Sequence, residues 1–417
     1  MIELGLNKNK ILILTLCIII LTTNNIVASA STVSHPKMYI DSNDTEKIKN
    51  NIGSNQEPWR MAYNRMILDA NSTLLLTPSS VTHGGATPPS GDIHDYYTEA
   101  AYSSDGVYDP NADRTDYYAA MKLGKSVRDL GMAYVFTGDS KYAEKALDFI
   151  RMWTINPGTM MNPKFTSGSK VELAITLPGM FYGADLIWNY HGWDSSEKDK
   201  FKSWTIQMIT NAKIDDWCFS NVCQNWENWR LVFISSASVI AEDTNSRNYA
   251  FDRWKELIPG QIDDQGKMIN EIGRTRSLDY STYAVNAMIQ TAEIARHYDV
   301  DLYNYTLPDG RGLEKALDYH VPYIINPDSW PYQQITSYDG DNAAIYELAY
   351  LFKKKSSYKN VISKLGRPMY EKRIMGWVTL THAGGYFGII PSTPVPTIGP
   401  TPVPTIRIIC YKKSKVK

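Results

Sequence analysis

Apolar residues recur every three to four positions through most of the chain, in stretches of ordinary helix length. Turn residues such as Thr137-Gly138-Asp139 and Asn156-Pro157-Gly158 separate these stretches. The predicted helices are 118–136, 142–153, 170–190, 196–213, 226–242, 278–298, 312–325 and 341–354. Strand-like alternation is almost absent, apart from a short stretch at Trp377 to Thr381. The pattern therefore predicts an all-α protein.

The number of predicted helices narrows the architecture without fixing it. Eight or more helices with no obvious repeat can form a bundle, a solenoid or a closed toroid of helical hairpins. Within 417 residues there is room for one large core. The segment from Ser79 to Asn111 is rich in Gly, Pro, Ser and aromatic residues and has no helical period. We expect it to be a lid or a loop that lines a cleft.

Both ends of the chain differ from the helical body. Residues 1–30 contain Lys8, Lys10, an apolar run and a small-residue cleavage site, which is typical of an export signal. This run is too short to span a bilayer, so the mature chain is expected to have no transmembrane span and to be secreted or at the cell surface. A single domain over 31–390 is predicted, followed by a Pro/Thr linker at 391–406 and a basic tail at 407–417.

Cysteines and charge limit the partners and cofactors. Beyond the signal peptide, Cys218 and Cys223 form a plausible disulfide pair, and such a pair implies a loop between them. Scattered histidines give no zinc spacing, so neither a metal nor another cofactor is expected. The region between the signal peptide and the tail is net acidic, which argues against nucleic acid as a partner.

The stretch from Glu271 to Tyr283 carries the most specific chemistry. A helix that begins near Ser277 would place Arg276, Tyr280 and Tyr283 on one stripe, with the guanidinium beside two phenols. A neighbouring cation lowers the pKa of a phenol and lets it transfer protons. Such a pair suits β-elimination on a uronic acid polysaccharide, although an ordinary helix start explains the same spacing.

Five motifs in order resemble the alginate lyase superfamily over roughly residues 83–350. They are His94 to Tyr102, Tyr134 to Tyr142, Trp153 with Met161-Asn162-Pro163, Gln224 to Trp229, and Arg276 to Tyr283. The resemblance implies an incomplete (α/α) toroid that binds an acidic polysaccharide and cleaves it by β-elimination without a required metal. It leaves the oligomeric state open.

The same resemblance implies roles for individual residues. Arg276 and Tyr283 match an arginine followed seven residues later by a catalytic tyrosine, so Tyr283 is expected to be base, acid or both. An Asn-Asn-His motif of the family corresponds here to Gln224-Asn225-Trp226, so Asn225 is the expected carboxylate donor and the histidine is missing. His94, in the predicted cleft loop, is the candidate replacement.

Further residues are expected to bind substrate, and two other functions compete with the lyase. Gln224, Trp226, Trp229, Arg274, Tyr97 and Tyr280 are the candidate binding residues. A glycoside hydrolase would use paired carboxylates among Glu227, Glu271 and Asp279. A noncatalytic glycan-binding protein would bind sugars without turnover.

Overall fold

The computed structural model describes residues 34–166 and 169–385, and this part of the chain is mostly helical. The predicted signal peptide, linker and tail lie outside the described residues. The helices are α1 (Ser42–Gly53), α2 (Trp59–Leu74), α3 (Thr115–Thr137), α4 (Ser140–Thr154), α5 (Lys170–Ala174), α6 (Leu177–Ile187), α7 (Ser195–Ala212), α8 (Asn225–Ala241), α9 (Thr244–Gln261), α10 (Ser277–Arg296), α11 (Leu313–Ile325), α12 (Tyr346–Lys353), α13 (Ser356–Leu365) and α14 (Val378–His382). A two-stranded antiparallel hairpin, β1 (Tyr102–Ser104) and β2 (Val107–Tyr108), interrupts them.

The central helices form an inner row with an outer partner for each member. The inner helices α3, α6, α8 and α10 contact one another in that order, and almost every residue of α6 and α8 is buried. The outer helices α4, α9 and α11 each contact the inner helix that precedes them in the chain. The outer helix α7 instead packs chiefly on α8, the inner helix that follows it. This arrangement of helical hairpins is the incomplete (α/α) toroid that the resemblance implied.

Small residues let α3 and α6 pack with their backbones in contact. A Cβ at Gly183 would lie 2.1 Å from the carbonyl oxygen of Val127, and one at Gly124 would lie 2.2 Å from that of Thr176. Any larger residue at these positions would therefore force the two inner helices apart. The close approach fixes the position of α3, whose first turn reaches the cavity described below.

Most helices appear where the hydrophobic pattern predicts them. The predicted helix 170–190 is two helices, because Pro178 cannot continue a helix that began at Lys170. The predicted 341–354 helix begins as a 3₁₀ turn (Asp341–Ile345) before α12. The pattern missed α1, α2, α9, α13 and α14.

The expected strand at Trp377 to Thr381 is wrong. Residues Val378–His382 form α14, and all five of its residues are buried. Val378 and Leu380 alternate with Thr379 and Thr381, and five residues are too few to show a helical period, so this segment resembles a strand in sequence. Within the described residues, no helix combines the length and the apolar character that crossing a membrane requires.

Candidate active site

A cavity with a volume of about 880 Å³ opens where three inner helices begin. The first turns of α3, α8 and α10 reach it through Tyr117, Trp226 and Asp279. The N-terminus of a helix carries a partial positive charge, so three such ends facing one cavity favour an anionic ligand. The loop 97–102 and residue Tyr108 of β2 form another wall, which confirms that the segment 79–111 lines a cleft.

Tyr283 lies half-buried on the wall of this cavity, between a tryptophan and an arginine. The Trp229 ring packs on it with centroids 4.8 Å apart, and the guanidinium of Arg373 lies 4.6 Å from the centroid of the Tyr283 ring. Burial raises the pKa of the Tyr283 hydroxyl, and Arg373 acts against that shift by lowering it. The cation that favours the phenolate of Tyr283 is therefore Arg373.

A tight turn presents Arg373 to the cavity. The buried carboxylate of Glu371 accepts hydrogen bonds from the backbone N–H groups of Ile374 and Met375, at 2.7 and 2.9 Å. Backbone hydrogen bonds between Glu371 and Gly376 close the turn. The Nε of Arg373 is buried and has no hydrogen-bond partner among the described residues. Arg373 lines the cavity, where its guanidinium also lies beside Tyr117.

Arg276 does not occupy the position that the sequence predicts for it. Helix α10 begins at Ser277 as expected, but the guanidinium of Arg276 turns to Asp279, with Nε and Nη2 at 3.0 and 2.8 Å from Oδ2. The expectation that Arg276 is the cation beside Tyr283 is wrong. Arg276 still lines the cavity, and its ion pair with Asp279 neutralises part of its charge.

Arg274 and Tyr280 form a second arginine–tyrosine pair in the cavity wall. The guanidinium lies 3.8 Å from the centroid of the Tyr280 ring. Both Nε and Nη2 of Arg274 donate to Asp105 Oδ1, at 2.9 and 2.5 Å, and the backbone N–H of Thr275 donates to Asp105 Oδ2 at 2.9 Å. Asp105 is at the tip of the β1–β2 hairpin, so this contact fastens the hairpin to the start of α10.

Asn225 lines the cavity at the first residue of α8. Its backbone N–H and its Nδ2 both donate to Oε1 of Glu271, at 2.7 and 2.9 Å. Glu271 is buried, which raises the pKa of its carboxyl group to about 7. Trp226, the next residue of α8, is half-buried on the same wall, where it can stack on a sugar ring.

Seven of the ten predicted site residues line the cavity. They are Tyr97, Asn225, Trp226, Arg274, Arg276, Tyr280 and Tyr283. The other three do not. Nδ1 of His94 donates to the carbonyl oxygen of Met160, at 2.7 Å. Gln224 is the N-cap residue of α8, and Trp229 is fully buried beneath Tyr283, where it supports the phenol and cannot stack on a sugar.

The three carboxylates predicted for a glycoside hydrolase are engaged elsewhere. Glu227 is buried and accepts from Arg230 Nε at 2.7 Å and from the backbone N–H of Trp217 at 2.9 Å. Asp279 is held by Arg276 and by Gln334 Nε2. Glu271 is bonded to Asn225. These three residues therefore do not supply the two exposed carboxyl groups that flank a glycosidic bond in a hydrolase.

Within the described residues, two groups of possible metal ligands lie outside the cavity. One is Asp216 with Cys218 and Cys223, and the two sulfurs are joined to each other in a disulfide within a loop, as predicted. The other is Asp41, Asp44 and His297, where Arg296 also approaches the imidazole. The absence of a metal cofactor stays a prediction.

Comparison with known proteins gives a consistent result. The family model described as alginate lyase matches residues 80–330, which is more than half of the chain. An alginate lyase structure from Bacteroides ovatus has 26% sequence identity and a TM-score of 0.71, covering 84% of this chain and 99% of that one.

More distant structures share the fold. Alginate lyase A1-III from Sphingomonas species A1 has 19% identity and a TM-score of 0.63, covering 84% of this chain and 97% of that one. A variant of alginate lyase A1-III complexed with a tetrasaccharide has 18% identity and a TM-score of 0.65, covering 84% and 96% of the two chains. No curated protein matches the chain.

Proposed function

The chain belongs to the alginate lyase family and is a polysaccharide lyase, and we propose that it cleaves a polyuronide by β-elimination with Tyr283 as the proton-transfer group. The position of Tyr283 carries this proposal. It is a phenol on the wall of a large cavity, packed against Trp229 and facing the guanidinium of Arg373. The other phenol on this face of α10 faces a guanidinium that is already bonded to Asp105.

The proposed reaction needs no water and no oxidant. Asn225 and Arg276 bind the uronate carboxylate and neutralise it, which makes the proton on the adjacent C5 more acidic. The phenolate of Tyr283 takes this proton, the C5–H electron pair forms the C4=C5 double bond, and the C4–O bond breaks. The proton then passes from Tyr283 to the leaving oxygen, which regenerates the phenolate. Arg373 stabilises the phenolate form throughout.

Because Tyr283 serves as both base and acid, only uronates of one configuration at C4 and C5 can be cleaved. The proton on C5 and the oxygen on C4 must lie on the same face of the ring, because Tyr283 reaches that face alone. Mannuronate and glucuronate have this arrangement, whereas guluronate has the two groups on opposite faces. No histidine lines the cavity within the described residues to serve the other face. We therefore propose polymannuronate or glucuronan as substrate.

The electrostatics of the cavity support an anionic polymer even though the whole chain carries a formal charge of −1. Arg276, Lys372 and Arg373 line it together with the starts of three helices and with several carboxylates, of which Asp279 and Asp341 pair with Arg276 and Lys372. The helix starts and Arg373 are therefore the local positive charge that would attract a polyanion. The aromatic residues Trp226, Tyr102 and Tyr108 provide surfaces on which sugar rings can stack.

The test is ultraviolet absorbance during incubation with polymannuronate, glucuronan and polyguluronate. The proposal predicts a conjugated double bond from the first two polymers and none from the third. Tyr283→Phe removes one hydroxyl and is expected to abolish turnover with an unchanged circular dichroism spectrum. A fully active Tyr283→Phe protein would contradict the role of Tyr283. New reducing ends without the absorbance would instead point to hydrolysis.

We also propose that the protein is exported. The disulfide between Cys218 and Cys223 supports this, because disulfides persist in oxidising compartments outside the cytosol. Expression with and without residues 1–30, followed by blotting of cells and medium, tests it. Equal amounts in the medium from both forms would contradict an export signal in those residues.

A further inference from the structure

Glu271 is a buried carboxyl group immediately behind the cavity wall. The residue is 1% exposed, and it does not line the cavity itself. It is separated from the cavity by Asn225, whose backbone N–H and Nδ2 both donate to Oε1 of Glu271. Glu271 therefore acts on a ligand through Asn225.

The two hydrogen bonds determine how Asn225 presents its carboxamide. One N–H of Nδ2 is used by Glu271, which leaves the second N–H of the same nitrogen for another acceptor. Oδ1 of Asn225 and Oε2 of Glu271 are both buried and have no hydrogen-bond partner among the described residues. Rotation of the carboxamide by half a turn would place Oδ1 against Oε1 of Glu271, where two acceptors repel each other. The present orientation is thus the one that Glu271 selects.

We propose that Glu271 is a positioning residue for the lyase: it orients the carboxamide of Asn225 toward the uronate carboxylate, and its own charge controls how tightly that carboxylate binds. This inference rests on the proposed function. An ionised Glu271 and the substrate carboxylate would share one asparagine, and two like charges so close together oppose each other. A neutral Glu271 keeps the hydrogen bonds at Oε1 and removes the repulsion.

The charged neighbours of Glu271 are few. Arg274, in the same turn, has Nη1 at 3.5 Å from Oε2, and Asp105 on the β1–β2 hairpin faces Glu271 across Arg274. Helix α8 contributes only the two amide groups of Asn225. Since Arg274 is bonded to Asp105, its charge is shared between two carboxylates. The pKa of Glu271 is raised to about 7 mainly by burial, so its charge changes near neutral pH.

The direction of the pH effect follows from these charges. Substrate binding favours the neutral form of Glu271, so the affinity for a uronate oligomer is highest below the pKa of this group. As the pH rises through about 7, Glu271 ionises and the dissociation constant increases. Glutamine at this position keeps an acceptor for both hydrogen bonds and never ionises, so the affinity of Glu271→Gln is expected not to depend on pH in this range.

The experiment measures binding of a mannuronate tetrasaccharide by calorimetry in the Tyr283→Phe background, which cannot turn it over. Between about pH 5 and about pH 9, the dissociation constant is expected to rise roughly tenfold when Glu271 is present. It should stay level in the Glu271→Gln double variant. Glu271→Ala, which frees the carboxamide, is expected to weaken binding at all pH values and to lower the kcat/KM of the otherwise unchanged enzyme about 100-fold.

Glu227→Gln is the matched control, because Glu227 is also a buried carboxyl of this region that accepts a backbone N–H but does not line the cavity. It is expected to keep the pH dependence of binding. The inference is overturned if Glu271→Gln keeps that dependence, or if Glu271→Ala binds and turns over as the parent does. Turnover of the same tetrasaccharide by the unchanged enzyme is measured alongside. Failure to form a double bond there would contradict the proposed function and not the placement of Glu271.

Discussion

Two tyrosines one helical turn apart on α10 each face a guanidinium, and the two pairs differ in what else holds the arginine. Arg274 over Tyr280 donates twice to Asp105, and its Nη1 is 3.5 Å from Glu271. Arg373 over Tyr283 has a buried Nε with no partner among the described residues. An arginine–tyrosine pair thus stabilises the structure in one place and lies where it can take part in catalysis in the other.

The difference follows from where each arginine comes from. Arg274 precedes α10 and lies where the β1–β2 hairpin can reach it, so its charge is used to fasten the hairpin. Arg373 comes from a turn near the end of the described chain, shaped by the buried carboxylate of Glu371. A guanidinium that already forms an ion pair with a carboxylate adds little to the stability of a phenolate, whereas one without such an ion pair adds much.

The largest expected effect separates the two arginines. Arg373→Gln removes the cation beside Tyr283 and is expected to lower kcat about 100- to 1000-fold, comparable to the loss of one transition-state donor. Arg274→Gln is the matched control and should mainly raise KM. Initial rates from ultraviolet absorbance on polymannuronate measure both. Equal losses of kcat in the two variants would contradict the distinction between the pairs.

The pH dependence of kcat provides a second contrast. Burial raises the pKa of Tyr283 and Arg373 lowers it, and the active form is the phenolate, so kcat is expected to rise with pH into the alkaline range. In Arg373→Gln the lowering is lost, so the rise should move to still higher pH. In Arg274→Gln it should stay in place. A rise that moves in neither variant would show that Tyr283 is not the titrating group.

A smaller effect is expected when the contact between the β1–β2 hairpin and the start of α10 is removed. Asp105→Ala removes the acceptor for Arg274 and Thr275, so the wall formed by Tyr102 and Tyr108 loses its attachment. We expect KM to rise about tenfold, as for the loss of one well-placed charged hydrogen bond, with little change in kcat. Asp109→Ala, at the base of the same hairpin, tests whether any change in this segment has the same result. A large fall in kcat would mean that the hairpin positions reacting groups.

The smallest effect is expected for the tyrosine of the fastened pair. Tyr280→Phe removes a hydroxyl from the tyrosine beside Arg274, and that arginine is already bonded to Asp105. We therefore expect kcat to stay within about threefold of the original, as for a group that binds the ground state and the transition state equally. The measurement is the same absorbance assay, with KM determined in parallel. Loss of turnover as complete as that of Tyr283→Phe would reverse the assignment of the two tyrosines.

Local sequence patterns predicted those features of the site that depend on residues close together in the sequence. The start of α10 at Ser277 and the position of Asn225 and Trp226 at the start of α8 follow from helix patterns and the spacing of motifs. The disulfide at Cys218 and Cys223 follows from their separation of five residues. These features depend on neighbours in sequence, which is why periodicity and resemblance reach them.

Contacts between distant parts of the chain could not be predicted in this way. Arg373 and Tyr283 are 90 positions apart, and the run Glu371-Lys372-Arg373 resembles an ordinary solvated charge cluster in sequence. The bond between Asp105 and Arg274 spans 169 positions. Placing Arg276 beside Tyr283 failed for a local reason, because Asp279, three residues away, competes for the guanidinium.

The central claim is that the phenol of Tyr283 transfers the proton, and its acidity tests this most directly. A difluorotyrosine, which is more acidic than tyrosine, is placed at position 283 in one protein and at position 280 in another, and kcat on polymannuronate is measured against pH. The rise of kcat is predicted to move to lower pH for the substitution of Tyr283 and to stay unchanged for that of Tyr280. A shift only for Tyr280, or for neither, would contradict the claim.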